Sequence, residues 1–389
     1  MLQLVADHPG TRQAGLSVLA GGLETHVADS IRSIGRDAWN ACFPDQVEDY
    51  DCLLAIEEAG IAGFEWRYVT VTENGRICAA MPAFLCRYAL DTTMDEGMPR
   101  RLVRRIRKAF PRFFSLRLAC LGSPCTETGA VGFHPEVPAT RRAALFSELL
   151  TAFERHAEAE SCTLVGLKDI DEPTAIKLAA PLEKHGYAAV GGLPTAWLDI
   201  DFDSIDSYLA RLSPGTRKDM RRKLKSAQLV RVEIRSDIGD WLPRIMALYH
   251  DTRNRSELQF EELTPGYFAG LLERMPGRSF CMLYFVGDRL LAANLVVHNG
   301  HTFVDKFFCM DGEAGRPYNL YFLSWFTNLA YCLDHGMNRY LSGQAHYENK
   351  VRLGSKLTPN LMFFRHRNPL VQMLLRRVSG FFSVDEASS

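Results

Sequence analysis

Apolar and polar positions along this chain follow two spacings in turn, and the same succession occurs twice. Residues 65–89, EWRYVTVTENGRICAAMPAFLCRYA, form two apolar, β-branched runs on either side of Asn74-Gly75, a dipeptide suited to a two-residue hairpin. Residues 140–160, TRRAALFSELLTAFERHAEAE, switch to the three-to-four spacing of an amphipathic helix. CTLVGLKDI follows as a short strand. Asp171 to His185 reads as a helix closed by Gly186, and YAAVGGLPTAWLDIDF as a closing strand-like stretch.

The second pass repeats this layout. SFCMLYFVGDRLLAANLVVHNGHTFVDKFFCMD contains three strand-like runs broken at Gly287-Asp288 and Asn299-Gly300. PYNLYFLSWFTNLAYCLDHG predicts a long helix stopped by Gly336. NRYLSG predicts a strand, HYENKVRLG is polar, and LTPNLMFFRH predicts a last strand. Hairpin, long helix, strand and final strand recur in one order, which predicts a duplicated α/β unit. Shorter helices precede each pass: IRSIGRDAWNACF and DCLLAIEEAG, ending at Gly60, before the first; SIDSYLARL, SPGTRKDMRRKL, WLPRIMALYHDTRNRS and TPGYFAGLLERM before the second. The expected division is a lead-in over 1–30, one domain over 31–200, a second over 201–375 and a tail over 376–389.

Composition narrows the function classes. The 389 residues are 47% hydrophobic and 23% charged, with a formal net charge of -1. That is ordinary globular composition, without the basic excess that would point to DNA. Ten cysteines are scattered with no CxxC pair, so neither a zinc site nor a disulfide framework is expected. The mixed opening residues lack a secretory pattern, and apolar runs break well short of 18 residues. A cytoplasmic chain without an integral membrane segment is therefore expected. The basic stretch RLVRRIRKAFPRFF, 101–114, suits a solvated helix face, an insertion between strands or a membrane surface.

Four groups of residues carry candidate chemistry. In DGEAGRPYNL, 311–320, Gly312 and Gly315 permit tight turning and close backbone approach, Arg316 adds charge, and Pro317-Tyr318-Asn319 lead into a helix whose free N–H groups suit an anion. GQAHYENKVRLG, 343–354, places His346, Tyr347, Glu348, Lys350 and Arg352 between two glycines. A cluster of this composition suits proton transfer and the stabilisation of developing charge. Glu348 or His346 suits the first task, Tyr347 could protonate a leaving group, and Lys350 could bind a carboxylate or phosphate. In HTFVDKFFCMD strict alternation would turn His301, Phe303, Asp305, Phe307 and Cys309 to one face and Thr302, Val304, Lys306, Phe308 and Met310 to the other. Asp305 then serves as a base, orients one, or pairs with Lys306; Asn294 is polar on the same sheet. Lastly, Arg217, Lys218, Arg221, Arg222, Lys223 and Lys225 form a basic run suited to phosphate, tRNA, anionic lipid or water alone.

The pattern resembles the GNAT-like acyltransferase superfamily, in particular the tandem group containing FemAB-type and BioF2-type acetyltransferase-domain proteins. SPGTRKDMRRKL, the 280–310 meander, DGEAGRPYNLYFL and GQAHYENKVRLG carry the likeness in the second half. WNACFPDQVEDYDCLLAIEEAG and GFEWRYVTVTENGRICAAMPAFL carry it in the first. The resemblance implies two tandem GNAT-like domains, each a mixed twisted sheet flanked by helices, with a catalytic second half. It implies acyl transfer to a primary amine of a small molecule or cell-envelope precursor. The implied donor is acyl-CoA, acetyl-CoA first, with its pyrophosphate against Gly312, Gly315, Arg316, Tyr318 and Asn319. Lys350, Arg352, Arg217, Arg221 and Asn294 would then contact substrate, with no metal. An aminoacyl-tRNA-dependent FemAB-like transferase and a non-catalytic binding protein of the same fold are the alternatives. The oligomeric state stays open.

Overall fold

The computed structural model describes residues 17–18, 22–89, 115–256 and 260–373. The basic stretch 101–114, most of the 1–30 lead-in and the 376–389 tail lie outside them. In chain order the strands are β1 Ser17–Val18, β2 Leu23–Ala28, β3 Phe64–Glu73, β4 Arg76–Ala89, β5 Ser115–Leu121, β6 Gly132–Phe133, β7 Leu164–Asp171, β8 Ala188–Gly191, β9 Thr195–Asp199, β10 Arg231–Arg235, β11 Ser279–Val286, β12 Arg289–His298, β13 Thr302–Met310, β14 Arg339–Gly343, β15 Lys356–Thr358 and β16 Asn360–His366. The helices are α1 Arg36–Asn40, α2 Tyr50–Glu58, α3 Ala139–Ala159, α4 Glu172–Lys184, α5 Ile205–Arg211, α6 Pro214–Lys223, α7 Leu242–Asn254, α8 Pro265–Arg274, α9 Leu320–Asp334 and α10 Tyr347–Arg352.

Local chemistry sets most boundaries as the sequence predicts. Asn74 and Gly75 both take positive φ in the β3–β4 turn, which suits a mirror-image hairpin turn. Ser213 and Thr264 cap α6 and α8 through their side chains, each followed by proline at the first helical position. All ten cysteines are buried free thiols.

Two mixed sheets result. The first runs β1-β2-β3-β4-β5-β7-β16-β8, with β6 on β4; the second runs β10-β11-β12-β13-β14-β9-β15. In each, an antiparallel meander ends in a strand that pairs parallel with the next: β5 with β7, and β13 with β14. Beyond that pair the halves exchange strands. β9, from the first pass of the repeat, lies between β14 and β15, and β16, from the second, lies between β7 and β8. The stretch YAAVGGLPTAWLDIDF is thus two strands in two sheets. A boundary drawn at residue 200 leaves β9 on the side of the sheet it does not join.

The core follows the same division. One face of the first sheet packs on α3 and α4 through Phe146, Leu149, Phe153 and Leu178. One face of the second sheet packs on α5, α6 and α9 through Tyr208, Met220, Leu320 and Leu329. The opposite face meets α7, α8 and also α2, which brings Ala55, Ile56 and Ala59 from the first half. Gly266 and Gly270 let α8 approach Ala59 and Ala55 of α2 closely. Arg278 on Asp49 and Asp51 reinforces this junction.

Candidate functional site

The parallel pairing of β13 with β14 covers Thr302–Val304 against Arg339–Leu341 and then stops. Asp305 is the first residue past it. β13 is also bulged against β12: the register passes from Val296↔Asp305 to Leu295↔Phe307, so Lys306 is the extra residue. The bulge breaks the strict alternation expected from sequence. Phe303, Phe308 and Met310 share the α9 side, whereas Val304, Phe307 and Cys309 join the core against α7 and α8. Asp305 and Lys306 do not pair with each other. Lys306 turns to the first half, forming an ion pair with Glu48 and donating to the Cys125 carbonyl at 2.8 Å. Burial is the largest influence and opposes its charge, but Glu48, Tyr267 and Cys52 together hold its pKa well above the usual lysine value.

Asp305 accepts from the Tyr340 hydroxyl at 3.1 Å and from Asn328 Nδ2 at 3.3 Å. Asn294 donates to Asn328 Oδ1 at 3.2 Å, and neither asparagine has exposed surface. Among the described residues, Asn294 Oδ1 and the Tyr321 hydroxyl are buried with no hydrogen-bond partner. Burial pushes the Asp305 carboxyl up to about 6, against the opposing pull of Lys350 and these donors.

Lys350 enters from α10 and is 4% exposed. Its ammonium donates to the Ser342 and Gly343 carbonyls, which leaves one N–H over. Burial lowers its pKa to about 8, while Glu127 and Asp305 pull it back up. Glu127 comes from the loop between β5 and α3. Its backbone carbonyl accepts from Gln344 Nε2, Asn360 Nδ2 and Thr195 Oγ1, at 3.1, 3.3 and 3.4 Å, all in elements around the second sheet and the exchanged strands. Its carboxylate lies against Gly343, where a Cβ would approach Oε1 to 3.1 Å. Burial raises it to about 7, against Lys306 and Lys350. Among the described residues no nitrogen–oxygen pair within Glu127, Asp305 and Lys350 reaches salt-bridge distance, yet Lys350 feels the charge of both carboxylates and they feel its own.

The corresponding opening of the first half is filled. Past the β5–β7 pairing, the 122–131 loop folds over it: Gly122 N–H donates to Pro82 at 2.7 Å, Gly129 N–H to Asp169 at 2.7 Å, and Lys168 Nζ to Thr126 at 2.8 Å. A Cβ on Gly129 would collide with the Lys168 carbonyl and the Ile170 side chain. The loop that closes one opening delivers Glu127 to the other.

Other residues singled out by sequence are placed as follows. Gly312 N–H donates to Asp251, and Glu313 and Ala314 N–H donate to Asp311 Oδ1. Gly315 N–H donates to the Asp311 carbonyl. The close approaches at Gly312 and Gly315 are to the Arg255 guanidinium and to Asp311. Pro317 does not open the long helix: Arg316–Tyr318 form a 3-10 turn, and Asn319 with φ 53° precedes α9, which has no side-chain cap. Arg316 is exposed. HYENKVRLG contains a short helix that turns Lys350 inward and Glu348 outward. Tyr347 donates its hydroxyl to the Pro194 carbonyl at 2.8 Å. His346 takes φ 55° beside Tyr321, with its pKa lowered by burial first and Lys350 second. Arg352 joins Asp219, Arg217 donates to the Ala210 carbonyl, and Arg221 faces Asp206 at 3.9 Å. Glu127 and Glu48 were not singled out by sequence. The only signal for Glu127 is a carboxylate inside a small-residue loop, and Glu48 is one of several acids in PDQVEDYD with nothing to mark it.

Among the described residues no cluster of His, Cys, Asp or Glu is arranged to hold a metal, and no helix is long and apolar enough to cross a membrane. No curated protein matches the sequence. Three solved structures share the fold. FemX is 14% identical with a TM-score of 0.53, covering 81% of this chain and 91% of its own. A tandem GNAT protein from the clavulanic acid biosynthesis pathway is 12% identical with a TM-score of 0.53, covering 89% and 99%. The C-terminal domain of a putative lysylphosphatidylglycerol synthetase from Agrobacterium fabrum is 12% identical with a TM-score of 0.53, covering 89% and 96%. The architecture is therefore the tandem GNAT fold expected from sequence. Residues 30–378 match the FemAB-like family, described as peptidoglycan biosynthesis/recognition, and the chain belongs to that family.

Proposed function

We propose that this chain transfers an acyl group to a primary amine of a cell-envelope precursor, at the gap between Glu127, Asp305 and Lys350. The observation that carries this reading is the convergence of buried Lys350 with half-buried Glu127 and Asp305, with no ion pair among the three, past the end of the β13–β14 pairing. The amine nitrogen attacks the acyl carbon, and Glu127 takes the proton that nitrogen loses. The remaining N–H of Lys350 steadies the oxyanion. Glu127 then gives that proton to the departing oxygen or sulfur, while Asp305, held by the Tyr340 hydroxyl, lines the site as an acceptor.

Two donors have separate support. An aminoacyl ester suits the wall formed by Asp305, Asn294 Oδ1 and the Tyr321 hydroxyl, where an α-ammonium would satisfy acceptors that an acetyl methyl leaves unpaired. The N–H groups of residues 312–315 already serve protein acceptors, which removes part of the anion loop expected for a pyrophosphate. An acyl-CoA suits the uncapped start of α9 with Arg316 beside it. We favour the aminoacyl ester. The test supplies an amine panel with aminoacyl-tRNA in one arm and acetyl- and longer acyl-CoA in the other, reading amide product and thiol release. Amide formed from aminoacyl-tRNA supports the favoured reading, and thiol release supports the second. Product from neither donor, with no shift in melting temperature on adding either, overturns acyl transfer.

A further inference from the structure

A second group of chemically competent side chains lies in the first half, away from this gap. Ser147 and Glu154 are seven residues apart on α3, two turns along one helix face. His185 ends α4 and reaches both: its Nε2 lies 2.9 Å from Ser147 Oγ, and its Nδ1 lies 3.0 Å from Glu154 Oε1. The second oxygen of Glu154 is held by Arg365 Nη1 at 2.6 Å, from the exchanged strand β16. The carboxylate is thereby fixed. With Nδ1–H donating to Glu154, Nε2 is left to accept the serine proton. A nucleophile, a base within hydrogen-bond reach and a third group orienting the base form the arrangement that activates a serine.

A recess of about 430 Å³ opens beside the imidazole. Lys184, His185, Arg365 and Arg367 line it with Pro369 and Met373, and among the described residues no acidic side chain does. Glu154 and Glu158 pair with the two arginines from behind. The exposed Lys184 makes no ion pair among the described residues. Such a wall favours a ligand with negative charge and a small apolar part.

We propose that Ser147, His185 and Glu154 form a second nucleophilic site, taking small esters of anionic carboxylic acids. Ser147 Oγ bonds to the ester carbonyl carbon as His185 Nε2 takes its proton. The bond from that carbon to the alcohol oxygen breaks, and His185 gives its proton to the leaving alcohol. Water then attacks the acyl-serine by the same route, its proton passing through His185 to Ser147 Oγ, and releases the acid. The cations of the recess stabilise the oxyanion.

An alkyl fluorophosphonate tests this on the whole chain. Ser147 Oγ bonds to phosphorus, the P–F bond breaks and fluoride leaves, which tags the Ser147 peptide for mass spectrometry. The site predicts an adduct on Ser147 that Ser147→Ala removes. His185→Gln slows labelling at least about 100-fold, and Glu154→Gln slows it at least about 10-fold. Lys350→Met labels at the wild-type rate, which separates this site from the proposed transfer centre. Hydrolysis of p-nitrophenyl succinate exceeds that of p-nitrophenyl acetate at least about 10-fold. Melting curves select the variants that remain folded. No adduct on Ser147, or labelling undiminished in folded His185→Gln and Glu154→Gln, overturns the proposal and leaves the three residues as a clasp between α3 and α4.

Discussion

The β5–β7 and β13–β14 openings are built by the same repeat and finish differently. In the first half a glycine-bearing loop crosses the opening, satisfies it with backbone hydrogen bonds and lets Lys168 pair with Asp169. In the second, Glu127, Asp305 and Lys350 lie within reach of one another's charge without forming an ion pair. A closed opening is stable and inert, while an open one retains buried charges that cost free energy. On the proposed reading, acyl transfer belongs to the second-half opening, and Glu127 is what the first half supplies to it.

The largest effect should come from removing the cation. Lys350→Met is expected to lower amide formation by about 100- to 1000-fold, the usual scale for losing one oxyanion donor. Equal turnover in wild type and variant would mean that the open gap is not where transfer occurs. A smaller effect tests how the first half delivers Glu127. Gly129→Val cannot seat against the Lys168 carbonyl, so urea melts should show a loss of about 1–3 kcal/mol, with lower turnover even where the chain is folded. Unchanged turnover in the folded variant would uncouple the loop from the site. The smallest effect separates the two long helices. Arg316→Ala, before α9, is expected to raise the donor KM by about 3- to 10-fold. Arg141→Ala, in the first turn of α3 and paired with Glu73, should leave it unchanged. Equal effects would erase the distinction between the halves.

Much of the fold was legible in sequence because it rests on local signals. Asn74-Gly75, Ser213-Pro214, Thr264-Pro265 and the glycines at 60, 186 and 336 act through φ and hydrogen-bond chemistry that neighbouring residues alone specify. The strand exchange was not legible. β9 and β16 are short strands with no local marker of their partners, and which sheet each joins is settled by long-range packing. The bulge at Lys306 was hidden for a related reason: a strand pattern carries an alternation, while the skipped residue depends on its partner β12. The site was legible in part. Asp305 was marked as a charge in an apolar strand, and Lys350 by its place between glycines. Glu348 and Tyr347 share that segment, but only the helical turn of α10 reveals that Lys350 is the residue aimed inward. Glu127 precedes Asp305 by 178 residues and Lys350 by 223, and no local pattern encodes that meeting.

The pH dependence of transfer tests the composite site most directly. Glu127 must be unprotonated to accept a proton, so kcat/KM should rise with pH through about 7. Lys350 must be protonated to stabilise the oxyanion, so the rate should fall again through about 8. The account predicts a narrow bell for the wild type. In Glu127→Gln the acid limb assigned to that residue should disappear and the maximum rate should drop at least about 100-fold. A folded Glu127→Gln protein that keeps both limbs and the wild-type rate would contradict it.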